Sequence, residues 1–115
     1  MSDITKLQDK IIRFRDQRDW KQFHNSKDVA LSLVLEASEL MEHFQWKSTD
    51  EIRKYVTANK AAIGEELADV LYWVLLMSRD LRIDIVDALC KKLKKNEIKY
   101  PVKKAKGKAT KYDKL

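Results

Sequence analysis

Hydrophobic positions along this chain recur at helical intervals, and hardly anywhere at the alternating interval of a strand. From Asp3 to about Arg18, Ile4, Leu7, Ile11, Phe14 and Arg18 fall at three- and four-residue steps with charges between them, which predicts an amphipathic helix. Arg18-Asp-Trp20 leads into Phe23-His24-Asn25-Ser26, where the periodicity stops and N-capping residues appear, so a connecting loop is expected there. A second helix is predicted from Ser26 or Lys27 to about Gln45. Val29, Ala30, Leu33, Val34, Ala37, Leu40, Met41 and Phe44 form its broad apolar arc, and Ser32, Glu36, Glu39 and His43 a narrow polar stripe.

Ser48 followed by Glu51 is a capping box that starts a short half-buried helix ending near Thr57. The most apolar stretch, from about Ala58 to Ser78, predicts another helix, with Ala62, Glu66, Asp69, Trp73 and Met77 in one stripe. Its Asp69 is surrounded by apolar residues, an expensive place for an unpaired carboxylate, so a base, a hydrogen-bond network or a metal is expected beside it. After a turn at Asp80 to Ile83, Asp84 is placed to cap a last long helix carrying Ile85, Val86, Leu89 and Leu93, which Pro101 ends. Residues 103 to 115 read as an irregular, basic tail. The expected architecture is all-α and four-helix bundle-like: a single domain over residues 1 to 102 followed by that tail.

Composition sharpens this picture. Among 115 residues there are only two Gly and one Pro, which leaves few chain breakers and favours long helices. A lone Cys90 excludes a disulfide framework. Without a run of about 18 apolar residues or an apolar leader, no membrane partner is expected and the cytoplasm is the expected location. The net charge of +6 is unevenly divided, because residues 91 to 115 hold eleven Lys against Glu97 and Asp113, a balance of +9 that leaves −3 for the remainder. Both acidic helices are too apolar for a lone small domain, so pairing with another copy of the chain is expected.

The candidate chemistry lies in two phrases, Glu36-Ala-Ser-Glu39 and Glu66-Leu-Ala-Asp69. Residues three apart on a helix project together, so four carboxylates are able to converge. Such an all-oxygen set suits hard cations, Mg²⁺ first with Mn²⁺ as substitute, over zinc or iron. Since Mg²⁺ usually completes its shell with water and substrate phosphates, the implied substrate is a polyphosphate. Trp20, Trp46 and Trp73 are then available to wall a pocket for a planar base. Lys92 and Asn96, four apart, are able to meet phosphate oxygens. A competing reading is a non-catalytic helical protein that binds nucleic acid through its Lys-rich tail, the less favoured partner.

The ordered set of Arg18-Asp-Trp20, Phe23-His24, Glu36-x-x-Glu39, Phe44-Gln-Trp46, Glu66-x-x-Asp69-Val-Leu, Asn96-x-x-x-Tyr100-Pro101 and Lys111-Tyr112 spans almost the whole chain. It resembles the MazG-like all-α nucleoside triphosphate pyrophosphatases, and within them the small dCTP pyrophosphatase branch. The resemblance implies a dimer or dimer-based tetramer. It also implies hydrolysis of a nucleoside triphosphate, dCTP or a modified pyrimidine among them, to monophosphate and pyrophosphate. Mg²⁺ would be held by Glu36, Glu39, Glu66 and Asp69, with Glu39 orienting the attacking water. Trp20, His24, Trp46, Trp73, Lys92, Asn96 and Tyr100 are the implied substrate contacts. One departure is Ile11, which stands where some of that branch carry a histidine and so removes a hydrogen-bonding group.

Overall fold

The computed structural model describes residues 2–115, and every regular element among them is helical. Six α-helices follow in order: α1 Asp3–Gln17, α2 Ser26–Glu42, α3 Thr49–Ala58, α4 Lys60–Asp80, α5 Ile85–Lys99 and α6 Val102–Ala105. The chain divides into two units, residues 1–82 with α1 to α4 and residues 83–115 with α5 and α6.

Local chemistry sets the helix starts. The side chains of Ser2, Asn25, Ser48 and Asp84 each accept a hydrogen bond from a backbone N–H in the first turn of α1, α2, α3 and α5. At Ser48 the capping box is complete, because Glu51 in return accepts from the Ser48 N–H. The Glu51 carboxyl is held below its ordinary pKa by its hydrogen bonding to the Ser48 side chain and then to the Ser48 backbone N–H. α2 stops at Glu42, before the expected Gln45, and residues 43 to 46 form a turn. That turn leaves Trp46 at φ 67, a left-handed conformation that is rare for a bulky residue.

Within the first unit α2 and α4 form the principal packing, α1 lies against α4, and α3 touches α4 more lightly. Val29 of α2 and Ile63, Leu75 and Leu76 of α4 are its buried apolar residues. α1 departs from expectation in an informative way. The side chains it buries are Gln8 and Arg15, whereas Leu7 and Phe14, on the predicted core face, remain exposed.

Seven residues apart, Gln8 and Arg15 point the same way and meet the last turns of α4, although Arg15 Nε is left buried without a hydrogen-bond partner. Gln8 Nε2 donates to the Leu75 carbonyl at 3.1 Å and to Ser78 Oγ at 2.9 Å. Arg15 is 2% exposed and grips Asp80 with both terminal guanidinium nitrogens, at 2.7 and 3.0 Å. The fork to Asp80 raises the Arg15 pKa against the opposing effect of burial. Asp80 is thus the last residue of α4 and an ion-pair partner, where a turn residue was expected.

In the second unit, α5 begins at the Asp84 cap and ends at Lys99, before Pro101. The segment expected to be irregular carries the short α6 and a 3₁₀ turn at Tyr112–Lys114. Tyr112 packs edge-on against Tyr100, ring centres 6.0 Å apart, with the Lys99 ammonium 4.8 Å from the Tyr112 ring. No helix among the described residues is long and apolar enough to cross a membrane.

Candidate active site

Facing positions of α2 and α4 bring three acids together: Glu36, Glu39 and Glu66 each offer a carboxylate oxygen within 4.8 Å of the others. Glu36 and Glu66 are half-buried and Glu39 is exposed. Oε2 of Glu36 and Oε2 of Glu66 are both shut off from solvent without a hydrogen-bond partner. Sealed carboxylate oxygens that no protein donor serves are costly unless a cation or a proton meets them.

The proton alternative leaves its mark on the acids. Burial, then the hydrogen-bonding neighbour Glu39 and the charges of Glu39, Asp69 and Glu66, push the Glu36 carboxyl up to about 7. Glu66 is raised by the same kinds of cause, burial first, and the charge of nearby His43 partly offsets the rise. Mutual repulsion of this kind disappears when a divalent cation sits among the oxygens, so the donor set fits a hard metal ion.

Asp69 lies next to this cluster without joining its tightest part. Its charge is felt by both Glu36 and Glu66, yet the residue is exposed, so the surrounding apolar sequence does not seal it. Together with Glu36 it borders a cavity of about 470 Å³, a size ordinary for small-molecule sites. Aromatic rings form much of the remaining wall: Trp20, Tyr72, Trp73 and Phe14. Phe14 meets Trp20 edge-on at 5.7 Å and Tyr72 edge-on at 6.3 Å, and Tyr72 meets Trp73 at 5.0 Å, so the rings brace one another. α1 contributes Leu7, Lys10 and Ile11 besides Phe14. The apolar face that periodicity assigned to the core therefore lines a cavity.

Of the remaining candidates, Trp20 and Trp73 are in this cavity and Trp46 is not: its ring is 92% exposed. His24 borders a different, more polar cavity with Lys21, Asn25 and Asp80, and touches the aromatic one only through an edge contact to Trp73 at 5.4 Å. Its Nδ1 is buried without a partner, and burial followed by the Arg15 charge lowers its pKa. Lys92, Asn96 and Tyr100 belong to the second unit; Lys92 and Tyr100 are exposed and Asn96 is half-buried.

Phe14 and Tyr72 were not singled out from the sequence, whereas Ile11 was, as the position where some of the resembling branch carry a histidine. Phe14 carried a usable signal, since it continues the helical stripe of Leu7. Tyr72, one position before Trp73, sat in a segment apolar almost all round and carried none. His43 was assigned to the polar stripe, and its role shows only in three dimensions. Its Nδ1 lies 2.6 Å from Tyr55 Oη, which ties the end of α2 to α3 beside Glu66.

An all-helical unit in which two helices bring carboxylates together at the edge of an aromatic cavity is an arrangement with the donors to hold a cation beside a flat ring. The chain belongs to the MazG-like family, whose model matches residues 31–115. It is 37% identical to dCTP pyrophosphatase 1 of Mus musculus over 117 residues, a match covering all of this chain and 67% of that protein. Against dCTP pyrophosphatase 1 of Homo sapiens the identity is 35%, again with 67% of that protein covered. A crystal structure of a pyrophosphatase from Archaeoglobus fulgidus superposes with a TM-score of 0.84 at 37% identity, covering 88% of this chain and 94% of that one.

Proposed function

We propose that this chain is a nucleotide pyrophosphatase that splits a nucleoside triphosphate between the α- and β-phosphates, giving monophosphate and pyrophosphate. The observation that carries this reading is the pair of sealed, unpartnered oxygens on Glu36 and Glu66 beside Glu39, at the rim of an aromatic cavity. The names of the relatives, dCTP pyrophosphatase 1 and pyrophosphatase, support the same reaction class.

Glu36, Glu39, Glu66 and Asp69 would hold the metal, with Mg²⁺ preferred by oxygen-only donors and Mn²⁺ able to replace it. When bound, it supplies charge neutralisation at the triphosphate and polarises the phosphorus under attack. Glu39, the exposed member of the cluster, orients a water and accepts its proton. The water oxygen bonds to the α-phosphorus, the α–β bridging P–O bond breaks, and its electron pair leaves with pyrophosphate. Trp20, Trp73, Tyr72 and Phe14 enclose the base and keep bulk water from it. Deoxycytidine triphosphate is the first nucleotide to test, because it is the one in the relatives' names.

The functional assembly contains more than one copy. Leu31, Val34, Leu35 and Met41 on α2 and Leu67 and Leu71 on α4 are all exposed, a large apolar surface for a small domain. Trp46, held in left-handed backbone and 92% exposed, would complete the aromatic pocket of another copy. Incubating the protein with Mg²⁺ and dCTP and separating the phosphate products tests the reaction. Pyrophosphate with dCMP is expected, and orthophosphate with dCDP would refute it.

A further inference from the structure

The cavity that the carboxylates border has a second charged feature that the reaction does not use. On α1, Leu7, Lys10, Ile11 and Phe14 follow at helical steps and all line the aromatic cavity. Lys10 is the one cation among its described lining residues. The side chain is exposed and takes part in none of the ion pairs found among the described residues. Its stem also borders a small surface cavity with Asp3 and Lys6, which places it on the lip between the two.

We infer that Lys10 is a specificity-determining residue that donates a hydrogen bond to a ring carbonyl oxygen of the nucleobase, so that the cavity favours carbonyl-bearing bases. This rests on the proposed nucleotide substrate and adds which part of it Lys10 reads. The assignment to base over phosphate follows from what each helix supplies. All four carboxylates come from α2 and α4, and through a cation they fix the polyphosphate there. α1 supplies no carboxylate to the cavity; its other lining residues are apolar, so the part of the ligand next to it is the flat ring. An ammonium group has three donors and no acceptor. It therefore pairs best with a ring carbonyl, as in cytosine, uracil, thymine or guanine; adenine has no carbonyl and offers an ammonium only its ring nitrogens.

Lys10→Met tests this, since it keeps an unbranched stem of similar length and removes the charge. With Mg²⁺ present, binding of the α,β-imido analogues of dCTP and dATP and of inorganic tripolyphosphate is measured by competition on wild type and variant. Loss of a charge-assisted bond should weaken the dCTP analogue about tenfold while tripolyphosphate changes less than about twofold. The dATP analogue should weaken less than the dCTP analogue, and Lys10→Arg should recover much of the dCTP loss. Parallel weakening of tripolyphosphate and nucleotide would make Lys10 a phosphate contact and overturn the inference. Equal loss for both nucleotides, or no loss for either, would overturn it as well. Failure of the wild type to release pyrophosphate from any triphosphate would instead sink the proposed reaction, while these binding comparisons still report on Lys10.

Discussion

Glu36 on α2 and Glu66 on α4 face each other across the helix pair, each with its Oε2 cut off from solvent and from every protein donor. With Glu39 they gather carboxylate oxygens within 4.8 Å, so this site resists full ionisation when empty and is relieved by a cation. Metal binding should therefore be visible as stability. Mg²⁺ at about 100 times its dissociation constant should add about 2.7 kcal/mol, read as a rise in Tm. Glu36→Gln combined with Glu66→Gln should abolish the rise. An unchanged Tm in the wild type at millimolar Mg²⁺ or Mn²⁺ would contradict the converged site.

The raised carboxyls also predict a pH dependence in the metal-free protein. Glu36 at about 7 binds its proton more tightly folded than unfolded. Its contribution is thus fully present below its unfolded pKa and is lost as pH climbs through about 7. Glu66 works in the same direction. His24, lowered by burial, works in the opposite sense: its contribution is present above its unfolded pKa and lost as pH falls through the folded one. Comparing wild type with Glu36→Gln removes the background. The variant should gain Tm relative to wild type between pH 5 and pH 7.5, and a constant difference would refute the assignment.

Arg15 and Asp80 join the end of α1 to the end of α4 by a bidentate pair with the Arg almost fully buried. Asp80→Ala leaves the buried guanidinium only the long contact to Asp16 at 3.9 Å and should cost about 3 kcal/mol in denaturant unfolding. The double variant Arg15→Met with Asp80→Leu should recover most of that, because an apolar pair of similar volume removes the stranded charge. A single variant within about 0.5 kcal/mol of wild type would show that the pair is not structural.

Leu35 is 64% exposed on a face of α2 that also carries the exposed Leu31. If that face covers a second copy, Leu35→Glu should yield monomers by light scattering at concentrations where wild type associates. Activity should fall with association, since Trp46 would no longer reach a neighbouring pocket. A monomeric wild type with full activity would refute the shared site.

Helix order and most helix starts were legible in the sequence because they depend on local chemistry: Asn25, Ser48 and Asp84 cap where their spacing to the following apolar runs said they would. The acidic phrases were legible for the same reason, a three-residue step on a helix. What periodicity could not give is which partner a face meets. The stripe of Leu7, Ile11 and Phe14 is that of a core face, and it lines a cavity instead. Gln8 and Arg15 look like solvent positions in sequence, and their burial depends on Ser78 and Asp80, which lie 70 and 65 residues away. Asp69 shows the converse, apolar in sequence context and exposed in space. Trp20 and Trp73 share a cavity; Trp46 was grouped with them by its place at the end of the Glu36 helix and by the family resemblance, and within this chain its turn after α2 sends it outward.

Cleavage between the α- and β-phosphates is the reaction proposed for the Glu36–Glu39–Glu66–Asp69 site. The most direct measurement is product identity from dCTP with Mg²⁺, for wild type and Glu39→Gln. Wild type should release pyrophosphate and dCMP in equal amounts, and Glu39→Gln should be slower by about 10²- to 10⁴-fold while remaining folded. Orthophosphate as the first product, or undiminished turnover by Glu39→Gln, would contradict it.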